Sequence, residues 1–316
     1  MVCDRFGRPI RDIRVSLTHR CNIRCIYCHG EGELSPSGEL EASEIERIVE
    51  VAADEGVRRV KLTGGEPLLR RDIFELVERV SSVPGIEEVS MTTNATLLAD
   101  KAWELREVGL KRVNISLDSL VPEKYKVITG FDELDSALCG IDEALAAGLS
   151  PIKLNMVLLR GLNENEFWDL VRFSKSKGAI LQVIELVDLG NEVFQRFHMD
   201  VKPLEEELGS YAERVVTRRS MQNRKKYFLP GGAEVEVVRP VHNSDFCSNC
   251  TRIRLTSDGK LKPCLMRSDN LIDIVGPLRR GADSKTLREL FLKAVELREP
   301  YYRAKDENRL SKCFQG

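Results

Sequence analysis

Between residues 10 and 186 the chain alternates short apolar, β-branched runs with amphipathic stretches, and no other feature of the sequence restricts its fold as much. Residues 13–17, 60–62, 88–92, 112–117, 152–158 and 180–186 carry the runs expected of strands. Helical periodicity extends over residues 72–80, 98–108, 135–147 and 164–175. It also marks an earlier segment in which Ser43 and Glu46 form a candidate capping box, Ile45, Ile48, Val49 and Ala52 share a face, and Gly56 ends the helix. Repeated strand–helix units predict parallel strands joined by right-handed crossovers. Six units fall short of a closed eight-unit barrel. The expected class is therefore α/β, an incomplete (β/α)6 TIM-like barrel open on one side. The alternation stops after residue 186, which divides the chain into a barrel at 1–190 and a C-terminal extension at 191–316. The extension begins with a linker holding one short helix at 190–208 and has a further strand at 233–238.

Within a strand, successive side chains face opposite ways. Ile13, Val15 and Leu17 alternate with Arg14 and Ser16, and Val60 and Leu62 with Lys61 and Thr63. Val89 and Met91 alternate with Ser90 and Thr92, Val113, Ile115 and Leu117 with Asn114 and Ser116, and Ile152, Leu154 and Met156 with Lys153 and Asn155. If the apolar parity packs beneath the helices, the barrel interior is wet, hydroxyl-rich and cationic, unlike the branched apolar filling of an ordinary barrel. An antiparallel sheet with one face in water would explain any single lysine. Five consecutive strands of one parity predict a chamber for a polar substrate. The sixth strand breaks the pattern, because Gln182 and Glu185 have opposite parity.

The first strand leads into a loop holding Cys21, Cys25 and Cys28. Cysteines this close converge on an iron–sulfur cluster, and three ligands for four irons leave one iron open to a chelating molecule. Zinc is the alternative, and only His19 or His29 is placed to supply its fourth ligand. The turn Gly64, Gly65, Glu66, Pro67 follows the second strand, where glycines permit close backbone approach to a ligand. A second trio, Cys247, Cys250 and Cys264, places Cys250 and Cys264 at neighbouring ends of an expected hairpin. A zinc knuckle completed by His242 is the alternative there. Arg252 and Arg254 flank Ile253 and share one strand face beside this trio; their forked, permanent charge suits phosphate or a heterocycle edge. Cys3, Cys139 and Cys313 have no partners at useful spacing and read as ordinary reduced thiols.

At 42% hydrophobic residues the chain has ample core material, and a formal charge of -2 argues against a general nucleic-acid or membrane-surface binder. The basic run at 218–226 reads as a solvated face. No signal peptide or membrane-spanning stretch is visible, and nine cysteines in such a chain favour metal sites over disulfides in a reducing, cytoplasmic setting.

The first trio, with an aromatic residue before its last cysteine, resembles the signature of the radical S-adenosylmethionine (SAM) enzymes. FGRxI near the start, the GGEP turn, TTNAT, NISLDS, the second trio and R-x-R follow in order from about residue 4 to 267. Together they resemble the GTP 3′,8-cyclase family of molybdenum cofactor biosynthesis. The resemblance implies two 4Fe–4S clusters, a SAM-binding one on Cys21, Cys25 and Cys28 and an auxiliary one on Cys247, Cys250 and Cys264. It implies SAM contacts from Tyr27, from Gly64, Gly65, Glu66 and Pro67, and from Ser116. It implies GTP contacts from Arg14, Lys61, Thr92, Lys153, Arg252, Ile253 and Arg254. The implied reaction takes hydrogen from C3′ of GTP and closes that carbon onto C8, giving 3′,8-cyclo-7,8-dihydro-GTP. The implied partners are an unidentified electron donor and the next enzyme, cyclic pyranopterin monophosphate synthase. Two positions depart from the family. Val187 stands where many members have methionine, and Gln315 precedes Gly316 where the family ends in Gly-Gly. Two other readings are a radical SAM peptide-modifying enzyme with an auxiliary cluster and a non-catalytic zinc protein.

Overall fold

The computed structural model describes residues 2–33, 38–188 and 190–302. All six expected strands are present, namely β1 (Asp12–Ser16), β2 (Arg59–Thr63), β3 (Glu88–Thr93), β4 (Arg112–Ser116), β5 (Lys153–Leu158) and β6 (Ile180–Glu185). They pair in parallel and in chain order. Their apolar positions, among them Ile13, Val15, Val60, Leu62, Met91, Val113, Ile115 and Leu154, form one core with the helix residues Ile45, Ile48, Leu76, Val77, Leu105, Ile141 and Leu170. Withdrawing each such side chain from water contributes about 1.5–3 kcal/mol. That gain fixes which parity faces the helices and leaves the polar parity facing inward.

The C-terminal region adds strands to both edges of this sheet. β7 (Arg214–Arg218), β8 (Arg224–Phe228) and β9 (Glu234–Val238) extend the β6 edge, with β9 innermost and parallel to β6. β10 (Arg252–Leu255), β11 (Lys260–Lys262) and β12 (Ile272–Asp273) extend the β1 edge, with β10 parallel to β1. Six strands plus β9 and β10 make eight parallel strands, the number of a full barrel. Among the described residues, however, β9 and β10 do not pair, and the sheet stays open between them. Residues 239–251 connect these two strands and carry Cys247 and Cys250.

Three local expectations need correction. The first helix, Ala42–Asp54, is capped by Glu41: its carboxylate accepts from Glu44, whose own carboxylate accepts from Glu41 N at 2.9 Å. The box thus lies two residues before the expected Ser43 and Glu46, and Glu46 instead meets Arg79 at 2.9 Å. The stretch at 190–208 carries two helices, Glu192–Phe197 and Lys202–Tyr211, the second running past it. The basic run forms part of β7 and β8, as described below. Cys3 and Cys139 are exposed free thiols; Cys313, Gln315 and Gly316 lie outside the described residues.

The helix Leu134–Ala146 lies directly on the TTNAT turn, where a Cβ on Gly140 would stand 2.3 Å from the Ala95 carbonyl oxygen. Backbone cannot yield as a side-chain tip does. Gly140→Ala is expected to lower the free energy of unfolding by about 2 kcal/mol, measured by chemical denaturation; an unchanged midpoint would show that the turn gives way.

Candidate active site

The first cysteine loop leaves the C-terminal end of β1 and is held by backbone on two sides. Arg24 N and Ile26 N donate to the carbonyls of Thr129 and Ile128 at 2.8 and 2.9 Å. Gly65 N and Glu66 N donate to Thr18 O and Arg20 O at 2.6 and 2.8 Å. A Cβ on Gly65 would fall 2.2 Å from Arg20 O, and one on Gly64, at φ +140°, 2.5 Å from Thr18 O. Both glycines therefore let the turn lie flat against the cysteine loop. Pro67 begins a short buried turn. The buried Glu66 carboxylate accepts from Leu68 N, Thr93 Oγ1 and Asn94 N at 3.1, 2.7 and 2.8 Å. Burial pushes its pKa up to about 7 against those bonds. Asn94 then donates to Asn22 Oδ1 at 2.9 Å, and Asn22 to Thr96 Oγ1 at 2.7 Å, so TTNAT braces the loop from below. Burial chiefly, with Glu66 near Cys21 and Asp118 near Cys25, pushes the Cys21 and Cys25 thiols up. Tyr27 donates to Asp118 Oδ2 at 2.5 Å, in the NISLDS segment just past β4.

The inward parity of the sheet lines a cavity of about 240 Å3. Arg14, Lys61, Asn114, Lys153, Asn155 and Gln182 supply its strand wall, with Arg252 and Arg254 from β10 and Arg224 from β8. Arg254, Arg14 and Lys61 sit side by side in register, as do Asn155, Gln182 and Glu236. The sixth strand obeys the same rule. Gln182 faces in, while Glu185 turns away to His198 Nε2 at 3.1 Å and Val241 N at 3.2 Å. Ile253 lies on the opposite parity to its arginine neighbours and is fully buried in the core, so it offers the chamber only backbone. Val187 reaches the cavity wall. His29, beside Cys28, also lines the cavity, as do Cys247, Cys250 and Cys264.

Two buried carboxylates hold the cations in place. Glu236 on β9 pairs with Lys153, with Arg218 at 3.2 Å and with Arg224 at 3.5 Å. Burial alone would raise its pKa, but Arg224, Lys153 and Arg218 together hold it at about 2. The basic run is thus only partly a solvated face: Arg218 and Arg224 point inward, whereas Arg219 and Lys225 are exposed. Strand alternation accounts for the division between Arg224 and Lys225 on β8, and Arg219 lies in the turn that follows β7. Glu31 pairs with Arg254 at 2.6 Å and Arg14 at 3.4 Å and accepts from Thr63 Oγ1 at 2.8 Å. Its pKa too is held at about 2, with Arg14, Arg254 and His29 outweighing burial. Among the described residues, neither Lys61 nor Arg252 has a carboxylate at ion-pair distance. Burial, then neighbouring cations, presses the Lys61 pKa well below its ordinary value, and burial and Arg14 lower that of Arg252. Ser16 Oγ and Thr92 Oγ1 on the inward parity, and Arg224 Nη2 and Gln222 Oε1 on the wall, are buried without a hydrogen-bond partner. Buried polar groups are rarely left so, and a polar ligand would complete them.

The second trio is built on a hairpin, as expected. β10 and β11 pair antiparallel with Arg254 opposite Lys262, so Cys250 precedes one strand and Cys264 follows the other. Cys247 lies on the short helix Ser244–Ser248. Burial pushes its thiol up; at Cys250 burial is outweighed, mainly by Arg298 and Arg252, and the pKa falls. His242 packs against the ring of Tyr302, and His19 against Glu33 at 2.5 Å. Among the described residues no three Cys, His, Asp or Glu side chains are drawn in to the spacing of one metal ion. Glu31, Glu236 and Arg224 were absent from the sequence-derived site, and His29 entered it only as a possible zinc ligand. Only the alternation of Glu234 and Glu236 with valines hinted at an inward carboxylate.

Residues 15–174 match the radical SAM superfamily model, and residues 179–304 match the one described as Molybdenum Cofactor Synthesis C. The solved structure of SuiB from Streptococcus suis with its precursor peptide aligns at a TM-score of 0.63 and 19% identity, over 82% of this chain and 60% of that one. His-tagged anSMEcpe with bound AdoMet aligns at 0.64 and 18% identity, over 91% and 77%. At such identities the likeness concerns the fold. Two curated relatives are each called "Probable GTP 3′,8-cyclase". That of Methanothermobacter thermautotrophicus is 51% identical over 95% of this chain and 99% of its own length, and that of Pyrococcus abyssi 51% identical over 96% and 100%. The chain belongs to the radical SAM superfamily and, within it, to the GTP 3′,8-cyclase family. It is an enzyme class that uses SAM and a 4Fe–4S cluster. No described helix is long and apolar enough to cross a membrane.

Because Glu236 has a folded pKa of about 2 against an ordinary 4.5, its stabilisation is complete above pH 4.5 and is lost as pH falls toward 2. Glu236→Gln is expected to flatten thermal stability across that interval, measured by melting at stepped pH. A variant that keeps the wild-type acid slope would remove Glu236 from the charge cluster.

Proposed function

We propose that the chain cyclises GTP to (8S)-3′,8-cyclo-7,8-dihydroguanosine 5′-triphosphate, the first step toward molybdopterin, using SAM as its radical source. The observation that carries this reading is the cationic cavity beside the second cysteine trio. Buried cations and unsatisfied donors line it, one cysteine trio forms part of its wall, and His29 joins it to the loop of the other. Cys21, Cys25 and Cys28 would hold the first cluster. The backbone of Gly64, Gly65, Glu66 and Pro67 would meet the methionine part of SAM, and Tyr27, steadied by Asp118, and Ser116 would meet the rest of it. Cys247, Cys250 and Cys264 would hold an auxiliary 4Fe–4S cluster. The barrel at 1–190 thus carries the SAM site and residues 191–316 the auxiliary one.

When bound, the first cluster and SAM supply a carbon radical strong enough to abstract hydrogen from ribose. The protein's part is binding and orientation. Lys61 and Arg252 meet the triphosphate first. Arg14, Arg254 and Lys153 join them by exchanging Glu31 and Glu236 for phosphate oxygens, and Thr92 offers its free hydroxyl. Arg252 and Arg254, with the Ile253 backbone, lie beside the second trio, so a nucleotide held by them has its ends fixed at known points of the chamber. Such fixation of C3′ near C8 is the larger part of what a protein can add to an intramolecular closure. Val187 takes the place of a methionine contact. The reaction also requires an electron donor, and its product passes to a cyclic pyranopterin monophosphate synthase; we place both, and this enzyme, in the cytoplasm.

Incubating anaerobically reconstituted, reduced protein with SAM and GTP should yield the cyclised nucleotide by mass spectrometry. Arg252→Ala should weaken GTP binding by about 10- to 100-fold, the range for a charge-assisted hydrogen bond, while the first cluster's absorbance persists. Equal GTP affinity in the variant would contradict the assignment.

A further inference from the structure

The FGRxI segment has no place in the chemistry above, yet its arginine is buried against the second trio. Asp4, Arg8 and Arg298 are 6%, 6% and 1% exposed, three charged side chains withdrawn from water at one point. Asp4 Oδ1 accepts from Phe6 N at 2.9 Å and Arg8 N at 3.0 Å. Asp4 Oδ2 accepts from Arg8 Nε at 2.8 Å and pairs with Arg298 Nη1 at 3.0 Å. Each guanidinium then reaches the backbone of a cysteine. Arg8 Nη1 donates to Cys247 O at 2.8 Å, and Arg298 Nη2 donates to Cys250 O. Arg298 Nη1 also donates to Arg8 O at 3.2 Å, locking the two arginines together. Burying two cations for one carboxylate is unfavourable unless their remaining donors are used, and here the used donors end on ligand peptides.

We propose that Asp4, Arg8 and Arg298 are positioning residues for the second cluster, clamping the Cys247 and Cys250 peptides and setting a net positive charge behind that trio. The role rests on the reading of Cys247, Cys250 and Cys264 as a cluster site. Adding an electron makes a cluster more negative, so positive charge behind the ligands raises its reduction potential, one of the means by which protein surroundings tune such centres. A staple serving only the fold would not move a potential.

The test uses the full chain, reconstituted anaerobically, with iron and sulfide counted per chain and each cluster followed by electron paramagnetic resonance during redox titration. Wild type should hold about eight irons. Arg298→Met should lower the second cluster's potential or empty that site, leaving the first cluster's signal unchanged, and Arg298→Lys should restore most of the potential. Should Arg298→Met fail to fold, Asp4→Asn, which adds net positive charge, should shift the second potential upward. Unchanged potentials and spectra in every variant that folds would overturn the role while leaving the second cluster standing. Wild type holding only about four irons would overturn the cluster reading itself, and the role with it.

Discussion

Placing positive charge inside a protein is the physical difficulty that this structure is arranged to manage. Lys61, Lys153, Arg14, Arg224, Arg252 and Arg254 all line one cavity, and an isolated buried cation is costly enough to lose its proton or unfold its surroundings. Glu31 and Glu236 provide the countercharge, one on each side, and each remains ionised because several cations surround it. Neither carboxylate neutralises the whole set. Under the proposed function, the excess of positive charge left over is what draws in a triphosphate, and the internal carboxylates are the partners it displaces. Binding energy and apo stability are therefore drawn from the same residues.

The first cysteine loop depends on a different constraint, the closeness of two backbones. Gly64 and Gly65 admit Thr18 and Arg20 at distances no Cβ would allow, and Glu66 and Asn94 then tie the turn, the loop and the end of β3 into one hydrogen-bonded unit. Motifs that lie far apart in the chain, GGEP and TTNAT, are thus parts of a single support for three thiols. Their spacing in sequence follows from the strands that deliver them, because both turns emerge at the C-terminal ends of neighbouring parallel strands.

Much of this was legible in the chain. Strand parity alone placed Arg14, Lys61 and Lys153 on the inner face, because a period of two combined with helical crossovers leaves polar side chains nowhere else to go. The hairpin between Cys250 and Cys264 was equally plain. What escaped was whatever depended on a distant partner. Glu236 meets Lys153 across 83 residues, Glu31 meets Arg254 across 223, and nothing local distinguishes either carboxylate from a surface one. Arg218 and Arg224 were hidden inside a basic run that also holds the exposed Arg219 and Lys225. Glu185 obscured the sixth strand because its partners, His198 and the Val241 amide, come from a connecting segment that has no periodicity to read.

The direction of one added strand decides how the two trios are disposed. Cys21 follows the C-terminal end of β1, and Cys250 precedes the N-terminal end of β10, which runs parallel beside it with Arg14 opposite Arg254. Parallel pairing therefore sends the two trios to opposite ends of the same pair of strands. A five-residue strand is about 16 Å long at 3.3 Å per residue, and the row of cations crosses the space between. Had β10 paired antiparallel, Cys250 would emerge at the same end as Cys21. The crossover at 239–251 that makes β10 parallel is also the segment that Arg8 and Arg298 hold in place. The N-terminal residues and the segment after the last described helix thus brace this crossover without lying between the two trios.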